Sequence, residues 1–215
     1  MKITDTLIYK FIKEYMSSIE IVDYKHGHII DSCIEESTSI YYILKGIVKV
    51  QNVSVSGNKI LIDEISKEEF VGHISTMRGE GFHSNVICKE DSTLVKIPRN
   101  IFAELMKNSE FSSLFYEKTS KRIYFMYKKL LLERLFHWEE IVAYYILENS
   151  NEDIFIYKSM YEICEYLNIS RRGLYNIINR FVYEECLEKR ESVFAIKDRM
   201  YLEELASNIY DYYGK

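Results

Sequence analysis

The sequence is poor in proline and cysteine and contains no long apolar run. Of its 215 residues only Pro98 is a proline, and the four cysteines stand singly, without a C-x-x-C pair. Isolated cysteines indicate neither a disulfide framework nor a clustered metal site. Apolar runs such as Ile40–Leu44 are far shorter than the roughly 18 to 20 residues of a membrane span, and no secretory signal opens the chain. These absences predict a globular protein of the reducing cytoplasm, with no membrane partner.

A basic excess is absent as well. The formal net charge is -5, which gives the whole chain no general attraction to nucleic-acid phosphates. The last part, Leu135–Lys215, carries nine lysines and arginines against fifteen acidic residues. Within it, however, Tyr166–Tyr183 contains three arginines and no acid. If the chain contacts nucleic acid, this local basic segment is where the contact is expected.

The first half of the chain has the pattern of a β-domain preceded by a helix. Short apolar stretches broken by turn residues are typical of a sandwich or roll. The clearest hairpin turns at Ser56-Gly57-Asn58, where glycine and asparagine tolerate positive φ. Apolar residues at helical spacing predict the short first helix: Leu7, Ile8, Phe11, Ile12 and Tyr15. The predicted strands are Ile19–Tyr24, Ile40–Leu44, Ile47–Val53, Lys59–Ile65, Asn85–Cys88 and Thr93–Ile97.

After Pro98 the pattern becomes helical, first over Ile101–Met106 and then over a long segment, Ser109–Leu135. One face of the long helix carries an apolar stripe, which either packs on the chain's own β-domain or pairs with a second copy as a dimer seam. Four lysines elsewhere on the helix favour the dimer seam. The residues of the predicted dimer interface are Phe115, Thr119, Ile123, Met126 and Leu130. A hinge into a second domain is expected at Leu135–Trp138.

Two short helices with a tight turn between them are predicted next. Ser159 and Glu162 have the spacing of a capping box, in which each side chain bonds a backbone amide of the other. The turn is Asn168-Ile169-Ser170: asparagine tolerates the left-handed region, and serine is a good N-cap for a helix that starts at Arg171. Its inner face is expected to hold Leu174, Ile177, Ile178 and Phe181.

The outer face of this second helix suits DNA. In a helix-turn-helix, residues near the start of the second helix contact base edges, and arginine pairs well with guanine. The predicted base-contacting residues are Arg171, Arg172 and Tyr175. The predicted phosphate-contacting residues are Ser170, Asn176, Asn179 and Arg180. Two brief strands then follow around Glu191-Ser192, Leu187–Arg190 and Val193–Ile196, which is the pattern of a wing, and Asp198 caps a final helix.

These features together resemble the Crp/Fnr family of bacterial regulators along nearly the whole chain. The matching motifs are Tyr41–Val50, Glu69-Phe70-Val71-Gly72, Ile97-Pro98 and Ile169-Ser170-Arg171-Arg172. The resemblance implies an α+β protein with a double-stranded β-helix, jelly-roll-like, over 1–108, a dimerisation helix and hinge over 109–137, and a winged helix-turn-helix over 138–215. It further implies a homodimer that binds a near-palindromic operator in double-stranded DNA, with a small-molecule effector and RNA polymerase as expected partners.

The effector pocket departs from the family pattern. Cyclic-AMP binders of the family have a glutamate just after the glycine that corresponds to Gly72, and an arginine-serine pair about ten residues later. Here the corresponding residues are His73 and His83-Ser84, so the ligands of the ribose and the cyclic phosphate are missing. Gly72, His73, His83 and Ser84 remain the candidate pocket residues, and a protonated His83 still offers a contact for an anion.

No cofactor is assigned. A cluster held by Cys33, Cys88, Cys164 and Cys186 is disfavoured, because single cysteines usually fill cores. Haem ligated through His73, His83 or His137 stays an open alternative, although the chain has no C-x-x-C-H.

An enzyme is not expected. The pair His26-Gly27-His28 is typical of cupin metal sites, but the remaining ligands are missing. No P-loop, nucleophile elbow or dinucleotide fingerprint is present. The second functional hypothesis is a ligand-sensing module that acts on a protein partner, with the arginine face docking there instead of on DNA. Salt-dependent DNA binding distinguishes the two.

Overall fold

The computed structural model describes residues 2–31, 38–54, 56–57, 59–74 and 84–214. The chain forms two compact units, Met1–Met126 and Tyr127–Lys215, with the division falling inside the long helix. None of the described helices is both long and apolar enough to cross a membrane.

The N-terminal unit contains two four-stranded antiparallel sheets. Their strands are β1 Glu20–Tyr24, β2 Ile29–Asp31, β3 Ser39–Lys45, β4 Val48–Val53, β5 Lys59–Ile65, β6 Phe70–Val71, β7 Ser84–Cys88 and β8 Ser92–Pro98. One sheet has the order β1-β8-β3-β6 and the other β2-β7-β4-β5. The predicted β-domain and the β4–β5 hairpin are confirmed. The sequence pattern missed β2 and β6, which are only three and two residues long.

Strand β3 explains why the sequence runs apolar without alternation at this point. Ile40 and Tyr42 contribute to a core between the sheet and the helices, whereas Tyr41 and Ile43 contribute to the core between the two sheets. A strand that is buried on both faces has no polar side to show.

The N-terminal helix is α1, Tyr9–Ile12, which lies between 3-10 segments at Ile3–Asp5 and Lys13–Ser18. Ile8 and Ile12 are fully buried on the sheet, so the predicted amphipathic segment is helical but has only one α-helical turn. After β8 come α2, Arg99–Leu105, and α3, Ser109–Leu135. The bounds of α3 agree with the sequence prediction.

The predicted dimer stripe on α3 needs a correction at its N-terminal end. Phe115 and Thr119 are 2% and 8% exposed, and Phe115 packs edge-to-face on Phe70 and Phe102 of its own unit. These two residues follow the alternative interpretation, in which the stripe packs on the chain's own β-domain. They fill the core of that domain and cannot face a second copy. Ile123 and Leu130 are exposed, and Met126 is partly buried.

The C-terminal unit packs helices around a small sheet and a core of its own. Its elements are α4 Trp138–Glu148, β9 Ser150–Asn151, β10 Ile154–Ile156, α5 Met160–Leu167, α6 Arg171–Tyr183, β11 Leu187–Arg190, β12 Val193–Ile196 and α7 Arg199–Tyr213. The sheet order is β11-β12-β10-β9. Asp198 caps α7 as expected, with its carboxylate accepting from the Tyr201 amide at 3.0 Å. The strands β9 and β10 were not predicted.

Candidate nucleic-acid interface and effector cavity

The turn between α5 and α6 is built by the residues that the sequence indicated. The Ser159 hydroxyl accepts from the Glu162 amide at 3.1 Å. The reciprocal half of the predicted capping box is replaced by an ion pair, since the Glu162 carboxylate lies 3.4 Å from Lys158 Nζ. Asn168 ends α5 in the left-handed region at φ 53°. The chain therefore turns sharply without a glycine.

Helix α6 begins with a side-chain cap and has two distinct faces. The Ser170 hydroxyl accepts from the Gly173 amide at 3.0 Å, which satisfies one of the free amides of the first turn. The predicted inner residues are all buried: Leu174, Ile177, Ile178 and Phe181. The predicted outer residues are all exposed: Ser170, Arg171, Arg172, Tyr175, Asn176, Asn179 and Arg180. The site residues thus lie together on one solvent-facing surface, which is called the α6 outer face below.

The three arginines of the α6 outer face have different surroundings. Within the described part of the chain, neither Arg171 nor Arg172 has an acidic partner. Arg171 lies 5.3 Å from the ring centroid of Tyr161, a cation–π distance. Arg180, near the end of the helix, forms an ion pair with Glu139. The unpaired positive charge is therefore concentrated at the start of α6.

Tyr161 was not predicted as part of this surface. It stands in the first turn of α5, with half of its side chain exposed. The signal available in the sequence was an aromatic residue just after the Ser159 cap, on the side of α5 opposite to its buried residues. Its ring limits the positions that the Arg171 guanidinium can adopt.

The wing is present but its charges are largely paired. Strands β11 and β12 form an antiparallel hairpin, with Arg190 opposite Val193. The Glu188 carboxylate accepts from Arg190 at 2.7 Å and lies 3.0 Å from Lys197 Nζ. These two contacts, that with Arg190 first, lower the pKa of Glu188 to about 2. The exposed Lys189 is the one wing cation for which the described residues show no acidic partner.

A second candidate site lies in the N-terminal unit, as a cavity of about 190 Å³. It includes three of the predicted pocket residues, Gly72, His73 and Ser84; the fourth, His83, lies outside the described residues. Six apolar side chains dominate the lining: Val50, Ile62, Val71, Ile74, Val86 and Met126. The other polar residues of the described lining, Asn52, Asp63 and Arg122, were not predicted, because they come from distant parts of the sequence.

The two charged side chains among the described lining residues, Asp63 and Arg122, are paired with each other. Arg122 Nε donates to Asp63 at 3.0 Å, a second guanidinium nitrogen lies 2.9 Å from the same carboxylate oxygen, and a third donates to the Phe70 carbonyl. Less than a fifth of the surface of either charged side chain is exposed to solvent. Ser84 donates to the Asn52 side-chain carbonyl. All three guanidinium nitrogens of Arg122 therefore contact the protein's own acceptors, the Asp63 carboxylate and the Phe70 carbonyl.

Among the described lining residues, His73 has a buried polar atom without a hydrogen-bond partner. Its ring packs edge-on against Phe115 at 5.4 Å, and its Nδ1 is buried without a hydrogen bond among the described residues. Burial, with the nearby Arg122 charge second, lowers the pKa of His73 to about 4. The imidazole is consequently neutral at physiological pH.

The remaining candidate ligands have structural roles in the described residues. Gly27 makes a turn at φ 80° and donates to the Cys88 carbonyl at 2.9 Å, and His28 stacks on Tyr24. Cys88, Cys164 and Cys186 are buried core residues whose thiol pKa values are raised by that burial, that of Cys186 to about 11. Cys33 lies outside the described residues. His137 caps α4.

Comparison with known proteins agrees with this geometry. The family of the cyclic nucleotide-binding domain matches residues 21–109. Among solved structures, a transcriptional regulator of the Crp/Fnr family from Eubacterium rectale is 18% identical, with a TM-score of 0.72 over 96% of this chain and 98% of that one. The chain has the Crp/Fnr fold. No curated protein sequence is significantly similar to it.

Two further solved structures with a similar fold come from different bacterial regulators. The c-di-GMP responsive global regulator of Xanthomonas campestris has a TM-score of 0.74 at 13% identity, over 88% of this chain and 99% of that one. CooA from Carboxydothermus hydrogenoformans has a TM-score of 0.71 at 13% identity, over 94% and 96%. The predicted order of β-roll, long helix and winged helix-turn-helix is confirmed, whereas identity this low transfers no ligand.

Proposed function

We propose that this chain is a cytoplasmic transcription regulator that binds DNA as a homodimer and responds to a small molecule held in the cavity of its N-terminal unit. The observation that carries the proposal is the α6 outer face. It presents two exposed arginines, for which the described residues show no acidic partner, at the start of a capped helix, directly after a tight turn, in a unit that also has a wing. This arrangement is what major-groove recognition by a helix-turn-helix requires.

Base contacts are assigned to Arg171, Arg172 and Tyr175, which lie in the first turns of α6. Arginine at this place can donate two hydrogen bonds to guanine O6 and N7. Ser170, Asn176 and Asn179 are assigned to phosphates, which fixes the position of the helix on DNA. Arg180 can join them by exchanging Glu139 for a phosphate, an exchange between exposed partners that costs little.

Dimerisation is assigned to the exposed side of α3. Tyr116, Ser120, Ile123, Tyr127 and Leu130 are all exposed. Their spacings of four, three, four and three are those of a coiled-coil seam. Two chains paired in this way present two recognition helices, and the expected operator has half-sites about 34 to 36 Å apart, one helical turn of DNA. RNA polymerase is the expected protein partner of such a regulator.

The test is selection of bound sequences from a random DNA pool by the purified protein, together with sequencing of the DNA crosslinked to it in producing cells. The expected result is one near-palindromic sequence in both experiments, with an affinity that falls steeply between 50 and 200 mM salt. The double variant R171A/R172A is the matched negative control. If neither experiment enriches a sequence, the DNA assignment is wrong, and the α6 outer face serves a protein partner.

A further inference from the structure

An aromatic ring lies beside Arg171 on the α6 outer face. It belongs to Tyr161 in the first turn of α5, and its centroid is 5.3 Å from the guanidinium carbon of Arg171. This is within the roughly 6 Å over which a cation is attracted to the face of a ring. Both side chains are largely exposed, and among the described residues no acidic side chain is paired with Arg171. The ring therefore connects α5 to α6 across the turn at 168–170.

An aromatic partner differs from an acidic one in what it leaves available on the arginine. A carboxylate takes up N–H donors of the guanidinium and cancels its charge, as Glu139 does for Arg180. A ring attracts the guanidinium through its face, whereas the N–H donors lie in the plane of the guanidinium itself. Arg171 can thus stay at Tyr161 and still offer its donors and its positive charge to a guanine.

Restricting an arginine before DNA binds reduces the entropic cost of the contact. A long exposed side chain loses rotamer freedom when an interface orders it, and this loss weakens the affinity. We infer that Tyr161 is a positioning residue of the α6 outer face: its ring orders Arg171 for the base contact and so contributes to sequence specificity without a DNA contact of its own. The inference rests on the proposed DNA-binding function and identifies a further residue on which that function depends.

The experiment measures the affinities of Y161L and Y161F for the selected operator and for versions changed at the base where R171A loses its preference. Leucine removes the ring, whereas phenylalanine removes only the hydroxyl. Y161L should bind the operator about three- to tenfold more weakly than the wild type, because DNA alone must then order Arg171. On the changed operators Y161L and the wild type should bind equally, since Arg171 makes no base contact there. Y161F should bind every operator like the wild type.

A double-mutant cycle with R171A separates positioning from a direct contact. In the R171A background Y161L should have no further effect, because no guanidinium is left to order. The matched control is Y212L, which removes from α7 a tyrosine of similar exposure, 49% against 52% for Tyr161. Y212L should leave the affinity for every operator unchanged. Thermal melts followed by circular dichroism verify that each variant is folded.

NMR of the free protein measures the contact itself without DNA. The ring current of Tyr161 should shift the side-chain protons of Arg171 upfield in the wild type and in Y161F, but not in Y161L. Absence of this shift in the wild type would overturn the inference. Because that reading needs no variant, it tests the inference even if Y161L does not fold.

The results on DNA can overturn the inference separately from the proposed function. A loss in Y161L that is equal on all operators, or that persists with R171A, would mean that Tyr161 contacts DNA itself or supports the fold. Unchanged or tighter operator binding by Y161L would mean that the ring does not prepare Arg171 for the base. An equal loss in Y161F would assign the effect to the hydroxyl. The proposed function fails only if the wild type selects no operator, which is known before any variant is compared.

Discussion

At the scale of single residues, the surroundings of each arginine on α6 decide what it can contribute to DNA binding. Arg171 is exposed, has no acidic partner among the described residues and is held near the Tyr161 ring. Arg180 already has Glu139 as an ion-pair partner. A contact to DNA therefore adds a new interaction for Arg171 but replaces an existing one for Arg180.

We expect Arg171→Ala to weaken binding to the selected operator by about 1 to 3 kcal/mol and to relax the base preference at one position of each half-site. Arg180→Ala should weaken all sequences alike and by less. The measurement is fluorescence anisotropy on the operator and on every single-base variant of it. Arg199, which is bonded to Asp153 and Glu203, provides the control R199A, for which no effect is expected. An unchanged base preference in R171A would contradict its assignment as a base-contacting residue.

His73 gives the N-terminal unit a specific dependence on pH. An unfolded histidine titrates near 6.5, whereas the pKa of the buried ring is about 4. Between these values the unfolded chain binds a proton that the folded chain does not, so the free energy of unfolding must fall as the pH falls through this window. The expected loss at pH 4, compared with pH 7, is about 3 kcal/mol from this residue.

Urea unfolding of the wild type and of H73F at pH 7, 5.5 and 4 measures this contribution. The difference in unfolding free energy between the two proteins should shift in favour of H73F as the pH falls. H28F, at an exposed site, should follow the wild type at each pH. Parallel curves for H73F and the wild type would show that His73 is not held neutral.

At the scale of elements, the turn that links β3 to β4 depends on Gly46. Its φ is 94°, and a Cβ at this position would lie 2.7 Å from the Ser92 Cα and even closer to the Ser92 hydroxyl. Gly57, in the β4–β5 turn, has a similar φ of 84° but open space around the same position. The two glycines therefore separate the cost of positive φ from the cost of a steric clash.

We expect Gly57→Ala to destabilise the protein by about 1 to 2 kcal/mol, which is the cost of positive φ for alanine. Gly46→Ala should cost at least about 2 kcal/mol more, because Ser92 is on the neighbouring strand and its backbone cannot yield without disturbing the sheet. Chemical denaturation of both variants measures the difference. Equal losses would mean that the β3–β4 turn adapts to a side chain.

At the scale of the whole molecule, the exposed apolar residues of α3 require an explanation that one chain does not provide. Ile123 is 62% exposed, and large apolar residues repeated at seam spacing usually mark an interface. If two copies pair there, a charge at the centre of the stripe would be buried without a partner.

Ile123→Glu should therefore raise the dimer dissociation constant at least about tenfold and abolish cooperative binding to the palindromic operator, while leaving weak binding to a half-site. Sedimentation velocity and operator titrations measure the two effects. Lys121→Glu introduces a larger change of charge on another side of the same helix and should leave the dimer intact. A dimer that persists in I123E would move the interface away from α3.

The sequence by itself determined the features that depend on neighbouring residues. The cap at Ser170, the left-handed Asn168 and the two faces of α6 follow from local backbone geometry and helical spacing, and all are as predicted. Most strands of the β-roll were found for the same reason. The shortest, β2 and β6, were missed because two or three residues are too few to show a period.

Only the tertiary structure decided which side of α3 is buried and which residues line the cavity. The helix is apolar on more than one side, so spacing alone could not tell the stripe that packs in the core, with Phe115, from the stripe that remains exposed, with Ile123. Arg122 and Asp63 are 59 residues apart in sequence, and no local pattern predicts that they neutralise each other beside His73. Electrostatic interactions depend on the distance between charges in space, and only the fold brings these groups close together.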